Sequence, residues 1–196
     1  PSAVTGTLKD TRDIEEIVGS NPETMHIIDE ADAIYPDLSS ANLTTQYDNV
    51  VHLGSFSKFY GLSGLRIGYL ITPETHSVHF DRMINPIEIT SVAILAAQMA
   101  INDGEYQRET QERVKRSLSK VEKACRGSSY KIVPGSKCFA SYLDADQSAE
   151  DPYETLAKLG IKIARGSTFG LSRGGRVNLA NENNIDRLVE VIQEIK

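Results

Sequence analysis

Apolar residues in this chain cluster in short runs separated by polar stretches, the pattern of alternating strands and helices. Asp13 to Val18 reads as a short polar helix, which Asn21-Pro22 ends before the run Met25-His26-Ile27-Ile28. That run predicts a buried strand closing at Asp29. Val50-Val51-His52-Leu53, stopped by Gly54, and Ile67 to Ile71, stopped by Thr72-Pro73, predict two more. Val92 to Ile101 is Ala-rich and apolar on most sides, as suits a helix packed deep in the protein. Glu105 to Ala124 reads as a long charged helix that Gly127 terminates.

Beyond Gly127 the texture changes. Tyr130 to Val133, Phe139 to Leu143, Ile161 to Ala164 and Arg176 to Leu179 alternate as half-exposed strands do. Ile185, Leu188, Val189, Ile192 and Ile195 then fall at helical spacing, with Asn183 or Asn184 available as N-cap. The expectation is an α/β unit over residues 1–102, a long connecting helix over 103–125, and a smaller α+β unit over 126–196.

The composition, 40% apolar and 24% charged, is that of an ordinary globular protein, and no apolar run is long enough to span a membrane. Two cysteines, Cys125 and Cys138, lie in no metal or redox spacing, which points to a reducing cytoplasm and leaves a disulfide between them open. A net charge of −6 argues against a nucleic-acid binder and favours small-molecule chemistry. His76 and His79 have no third ligand and read as a polar surface patch. Glu112 and Arg116, four apart, read as a helix-stabilising pair.

The densest chemical signal runs from Gly54 to Tyr69. It places Ser55, Ser57 and Lys58 directly after a strand and Arg66 eight residues beyond the lysine, with glycines allowing sharp turns between them. A lysine amine, hydroxyls and a guanidinium are the groups that a phosphorylated aldehyde cofactor needs. The stretch Ser-x-Ser-Lys-x-x-Gly-Leu-x-Gly-Leu-Arg-x-Gly resembles the lysine signature of class I/II aminotransferases, especially the histidinol-phosphate aminotransferase branch. The resemblance implies the C-terminal portion of the large domain, a mostly parallel sheet with helices, plus a small C-terminal domain. It also implies pyridoxal 5'-phosphate held on Lys58 as a Schiff base, with Ser55, Ser57 and Arg66 as phosphate ligands. Ile27-Ile28-Asp29-Glu30-Ala31 resembles the family's strand ending in Asp-Glu-Ala-Tyr, which assigns Asp29 to the pyridine nitrogen. Gly160 to Phe169, followed by Arg176, resembles the segment whose arginine clamps the substrate carboxylate. The implied reaction moves an amino group between an L-amino acid and a 2-oxo acid.

Two positions depart from the family. Ala3 stands where an asparagine is usual, and Asp32 where a tyrosine is, so both usual donors to the cofactor's phenolic oxygen are missing. Tyr35 or Tyr60 are candidates to fill the gap. A related decarboxylase and a catalytically degenerate fragment of the same fold remain as alternatives. Asp29 to Asp32 also spells the box of DEAD-box RNA helicases, although no Gly-Lys-Thr/Ser phosphate loop accompanies it. Pro1 to Gly6 resembles the family's Asn-Pro-Asn-Asn-Pro-Thr-Gly turn entered one residue late. The expectation is therefore a piece of a polypeptide roughly twice as long, a two-domain size. Its parent would be a homodimer, and residues 1–102 would expose apolar sheet edge and face.

Overall fold

A computed structural model describes residues 1–195. Two compact units divide the chain, Lys9–Arg108 with Pro1, and Ser2–Leu8 with Glu109 onward.

In the first unit, α1 (Thr11–Ser20) starts where the Asp10 side chain accepts the Arg12 N–H, and it buries Val18. Strand β1 (His26–Asp29) pairs in parallel with β2 (Val50–Ser55), Ile28 opposite His52 and Asp29 opposite Leu53. Val18, Leu43 and Val50 form a small core beneath this pair, joined by Ile14, Ile28 and Tyr47. Strand β3 (Gly68–Ile71) then pairs antiparallel with β2, so the sheet is mixed, in the order β1-β2-β3. The antiparallel return follows from the connection: residues 56–67 hold only a short 3-10 turn, Ser63–Leu65, and no crossover helix to bring the chain round.

Helices α2 (Glu74–Asp81), which the sequence pattern did not reveal, and α3 (Ser91–Asn102) complete the unit. Helix α3 corrects the expectation of deep packing. Only Ala93 and Ala97 are buried, against Phe56 and Ile67, while Val92, Leu95 and Met99 are 68%, 59% and 67% exposed. Ile27 on edge strand β1 is also 63% exposed, so apolar edge and helix face are both open in this chain.

Helix α4 (Gly104–Cys125) runs through the boundary between the units, and Gly127, at φ 74°, takes the left-handed conformation that ends it. The second unit is an antiparallel sheet of β4 (Tyr130–Ile132), β5 (Ala140–Ala145), β6 (Ala164–Arg165) and β7 (Gly175–Asn178), in the order β4-β5-β7-β6. Helix α5 (Pro152–Lys158) opens on an Asp151 cap and a proline in its first turn. Helix α6 (Glu182–Glu194) buries Ile185, Leu188, Val191 and Ile192. Its cap is Asn181, which accepts the Asn184 N–H, and not Asn183 or Asn184 themselves. Arg116 of α4 pairs with Glu182 of α6 at 3.1 Å, while Glu112 lies 4.0 Å from Lys115. Cys125 and Cys138 are both buried and are not joined in a disulfide.

Candidate active site

Because β1 and β2 run in parallel, their C-terminal ends emerge side by side, the place where α/β sheets bind ligands. Asp29 ends β1 and accepts the Ala31 N–H at 2.9 Å, an arrangement that fixes the turn after the strand. Ser55 ends β2, and its hydroxyl accepts the Ser57 N–H at 3.0 Å. Phe56 N–H donates to the Ile67 carbonyl at 3.2 Å, and Ser55 pairs with Gly68, so the loop returns its far end, with Arg66, to the Ser55 position.

Arg66 is the one non-glycine residue with positive φ among the described residues, at φ 52°, ψ 43°. Such a conformation costs on the order of 1–3 kcal/mol and is concentrated at functional sites. The Arg66 guanidinium is exposed and donates to the Ser63 carbonyl at 3.1 Å. Lys58 lies in the turn after β2, its amine 3.3 Å from the Asp32 carboxylate. Arg176 belongs to the second unit, on β7, where its Nε donates to the Ala3 carbonyl at 2.6 Å.

An open groove of about 710 Å³ is lined by Asp29, Ala31, Gly54, Tyr69 and Phe80 among others. Beside it lies a smaller cavity of about 70 Å³, lined by Glu30, Tyr35, Ser39, Ser55, Phe59, Tyr60 and Tyr69. Lys58, Ser57 and Arg66 line neither. Gly54 is required where it stands, because a Cβ there would run into the Tyr69 ring. Tyr69 and Tyr60 both pack on Phe56, at 5.5 and 4.9 Å between ring centroids, and burial pushes both hydroxyls above their usual ionisation range. Tyr35 and Tyr60 thus stand near Ser55, while the partner of the Lys58 amine is Asp32.

Sequence reasoning did not find the buried pair behind Asp29. In the β1–β2 register His52 sits opposite Ile28, so Glu30, two residues on, shares its face. His52 Nε2 is 3.0 Å from Glu30 Oε2, and Glu30 Oε1 accepts the Ser40 N–H at 2.8 Å. Burial alone would raise the Glu30 carboxyl, but hydrogen bonds from His52, Ser39 and the Ser40 N–H outweigh it and hold the group at about 2, from 4.5. A histidine inside the apolar run Val50 to Leu53 was the available signal, because a polar group buried on a strand needs a partner.

The depressed carboxyl sets a pH dependence. Its stabilising contribution, on the order of 2–3 kcal/mol, is complete above pH 4.5 and is lost as pH falls from 4.5 towards 2. Urea unfolding of the wild type and of Glu30→Gln should differ most near neutrality and converge as pH falls from 4.5 towards 2. A gap constant from pH 7 to 3 would contradict this account.

The family model for aminotransferase class I and II matches residues 1–192. The chain belongs to the class I and II aminotransferase family. Histidinol-phosphate aminotransferase 1 of Archaeoglobus fulgidus is 30% identical over 196 residues, which are 100% of this chain and 59% of that protein. A histidinol-phosphate aminotransferase of Campylobacter jejuni is 33% identical over 135 residues, 69% of this chain and 37% of the relative. The aminotransferase chain thus spans little more than half the length of relatives that it matches end to end.

Among solved structures, the histidinol-phosphate aminotransferase of Clostridium acetobutylicum superposes with a TM-score of 0.83 at 21% identity, covering 100% of this chain and 61% of that one. The Sinorhizobium meliloti enzyme in complex with pyridoxal-5'-phosphate gives 0.82 at 22%, covering 97% and 54%. These likenesses establish the fold. Membership of the aminotransferase family overturns the helicase alternative, and its Asp-Glu-Ala-Asp carboxylates are otherwise engaged: Glu30 with His52, Asp32 with Lys58. Among the described residues no helix is long and apolar enough to cross a membrane, and no group of ligands suits a metal, His76 and His79 included.

Proposed function

We propose that this chain carries the lysine-bearing part of a pyridoxal-phosphate aminotransferase site, working between an L-amino acid and a 2-oxo acid. The observation that carries the reading is the set of polar groups at the C-terminal ends of β1 and β2: an amine, a carboxylate, two hydroxyls and a guanidinium, one of them on strained backbone. That set fits a phosphorylated pyridine aldehyde in its chemistry. When bound, pyridoxal phosphate supplies the electron sink for the electron pair left at the substrate's α-carbon.

In this reading the Lys58 amine holds the aldehyde carbon and later moves a proton at its Nζ. The Asp29 carboxylate accepts a hydrogen bond from the ring nitrogen and keeps its proton in place. The Ser55 and Ser57 hydroxyls donate to the phosphate, and the Arg66 guanidinium balances its charge with a planar pair of N–H donors. Arg176 binds the substrate carboxylate through the guanidinium nitrogens not engaged with Ala3. The relatives' names point first to histidinol phosphate as amino donor. The decarboxylase alternative has a fold likeness at 19% identity behind it. The assembly expected in this reading is a homodimer, which light scattering measures.

Adding pyridoxal phosphate to the purified protein should produce a near-visible absorbance band that an amino donor then shifts. A protein that leaves the spectrum of the free cofactor unchanged would remove the proposal.

A further inference from the structure

The Lys58 amine is not free in this structure. It lies 3.3 Å from Asp32 Oδ1, and no other ion pair to Lys58 exists among the described residues. The two members are mounted differently. Asp32 sits in a turn pinned on both sides: Ala31 N–H donates to the Asp29 carboxylate at 2.9 Å, and Ala33 N–H to the Glu30 carbonyl at 2.9 Å. Glu30 is in turn fixed by His52 and the Ser40 N–H. The Asp32 side chain is 23% exposed and that of Lys58 46%, so a half-exposed lysine reaches a more buried carboxylate on a hydrogen-bonded turn.

We propose that Asp32 is a positioning residue for Lys58, docking the amine as an ammonium ion from which it must be released before it can react with an aldehyde. This rests on the reading of Lys58 as the cofactor lysine. An ammonium ion paired with a carboxylate has no lone pair to offer. In the capture step the Lys58 ammonium gives one proton to solvent and the amine nitrogen forms a bond to the aldehyde carbon of pyridoxal phosphate. Both carbon–oxygen bonds of the aldehyde would break, and its oxygen would leave as water with the two protons that the amine nitrogen gives up. Asp32 enters no covalent bond; it sets where the amine waits and how readily it departs. Its neighbour Asp29 ends the adjoining strand, so one turn presents both the residue assigned to the ring and the residue that parks the lysine.

The test needs no cofactor in its first arm. Trace labelling of the 196-residue chain with acetic anhydride, followed by peptide mapping, reports the reactivity of each lysine. A part-exposed pair of this kind corresponds to about a two- to five-fold gain in Lys58 labelling for Asp32→Asn and Asp32→Ala. Lys9 and Lys162 should keep their rates. Added salt should accelerate Lys58 labelling in the wild type but not in Asp32→Asn, and Asp32→Glu should restore the slow rate, which a merely structural role would not do. In the second arm, borohydride trapping of pyridoxal phosphate on Lys58 should accelerate by a similar factor in Asp32→Asn. An unchanged Lys58 rate in Asp32→Asn, or a gain shared by all lysines, would overturn the proposal. If Lys58 labelling responds but no cofactor is trapped, the cofactor reading fails and the docking contact stands.

Discussion

Lys58→Ala should lose all covalent capture of pyridoxal phosphate and about 10²–10⁴-fold in turnover, the range for one missing acid–base group, with more expected where the covalent link also matters. The fold should survive. Lys58 is nearly half exposed, and its ion pair with Asp32 is of a class worth roughly 0–1 kcal/mol. Circular dichroism and urea unfolding of the variant should therefore match the wild type while borohydride trapping disappears. A variant that keeps both the near-visible band and its turnover would show that another lysine carries the cofactor.

Asp29→Asn should bind pyridoxal phosphate but lose roughly 10²–10³-fold in turnover, the scale of one removed electrostatic stabiliser. The carboxylate lines the groove and makes one hydrogen bond, to the Ala31 N–H, which an asparagine oxygen also accepts. The turn is thus kept while the charge is lost. An amide cannot hold the ring nitrogen's proton, so the electron sink is weakened with little change in shape. The comparison to make is cofactor affinity against turnover in the same preparation. Near-normal turnover would mean that the Asp29 assignment is wrong.

What could be read from sequence followed from local physics. The lysine segment was legible because its glycines, hydroxyls and cations sit within one loop, and β1 and β2 because an apolar run bounded by turn residues has few other solutions. Less visible was whatever depended on a distant partner. Helix α3 has the composition of a core helix, yet which of its sides is covered depends on what packs there, and in this chain Ala93 and Ala97 alone are covered. Arg116 reaches Glu182 across 66 residues, a contact that the four-residue spacing to Glu112 hid. Asp32 stood out as a departure, but its pairing with Lys58 needed the β1 turn and the β2 loop to be placed together. Helix α2 is hidden because it has no apolar stripe and buries none of its residues, whereas the Asp151-Pro152 start of α5 is a readable cap signal.

Borohydride reduction of the protein incubated with pyridoxal phosphate, followed by peptide mapping, tests the central claim most directly. The account predicts one reduced pyridoxyl group per chain, on Lys58 in the segment Ser55 to Arg66; label on any other lysine, or none at all, would contradict it.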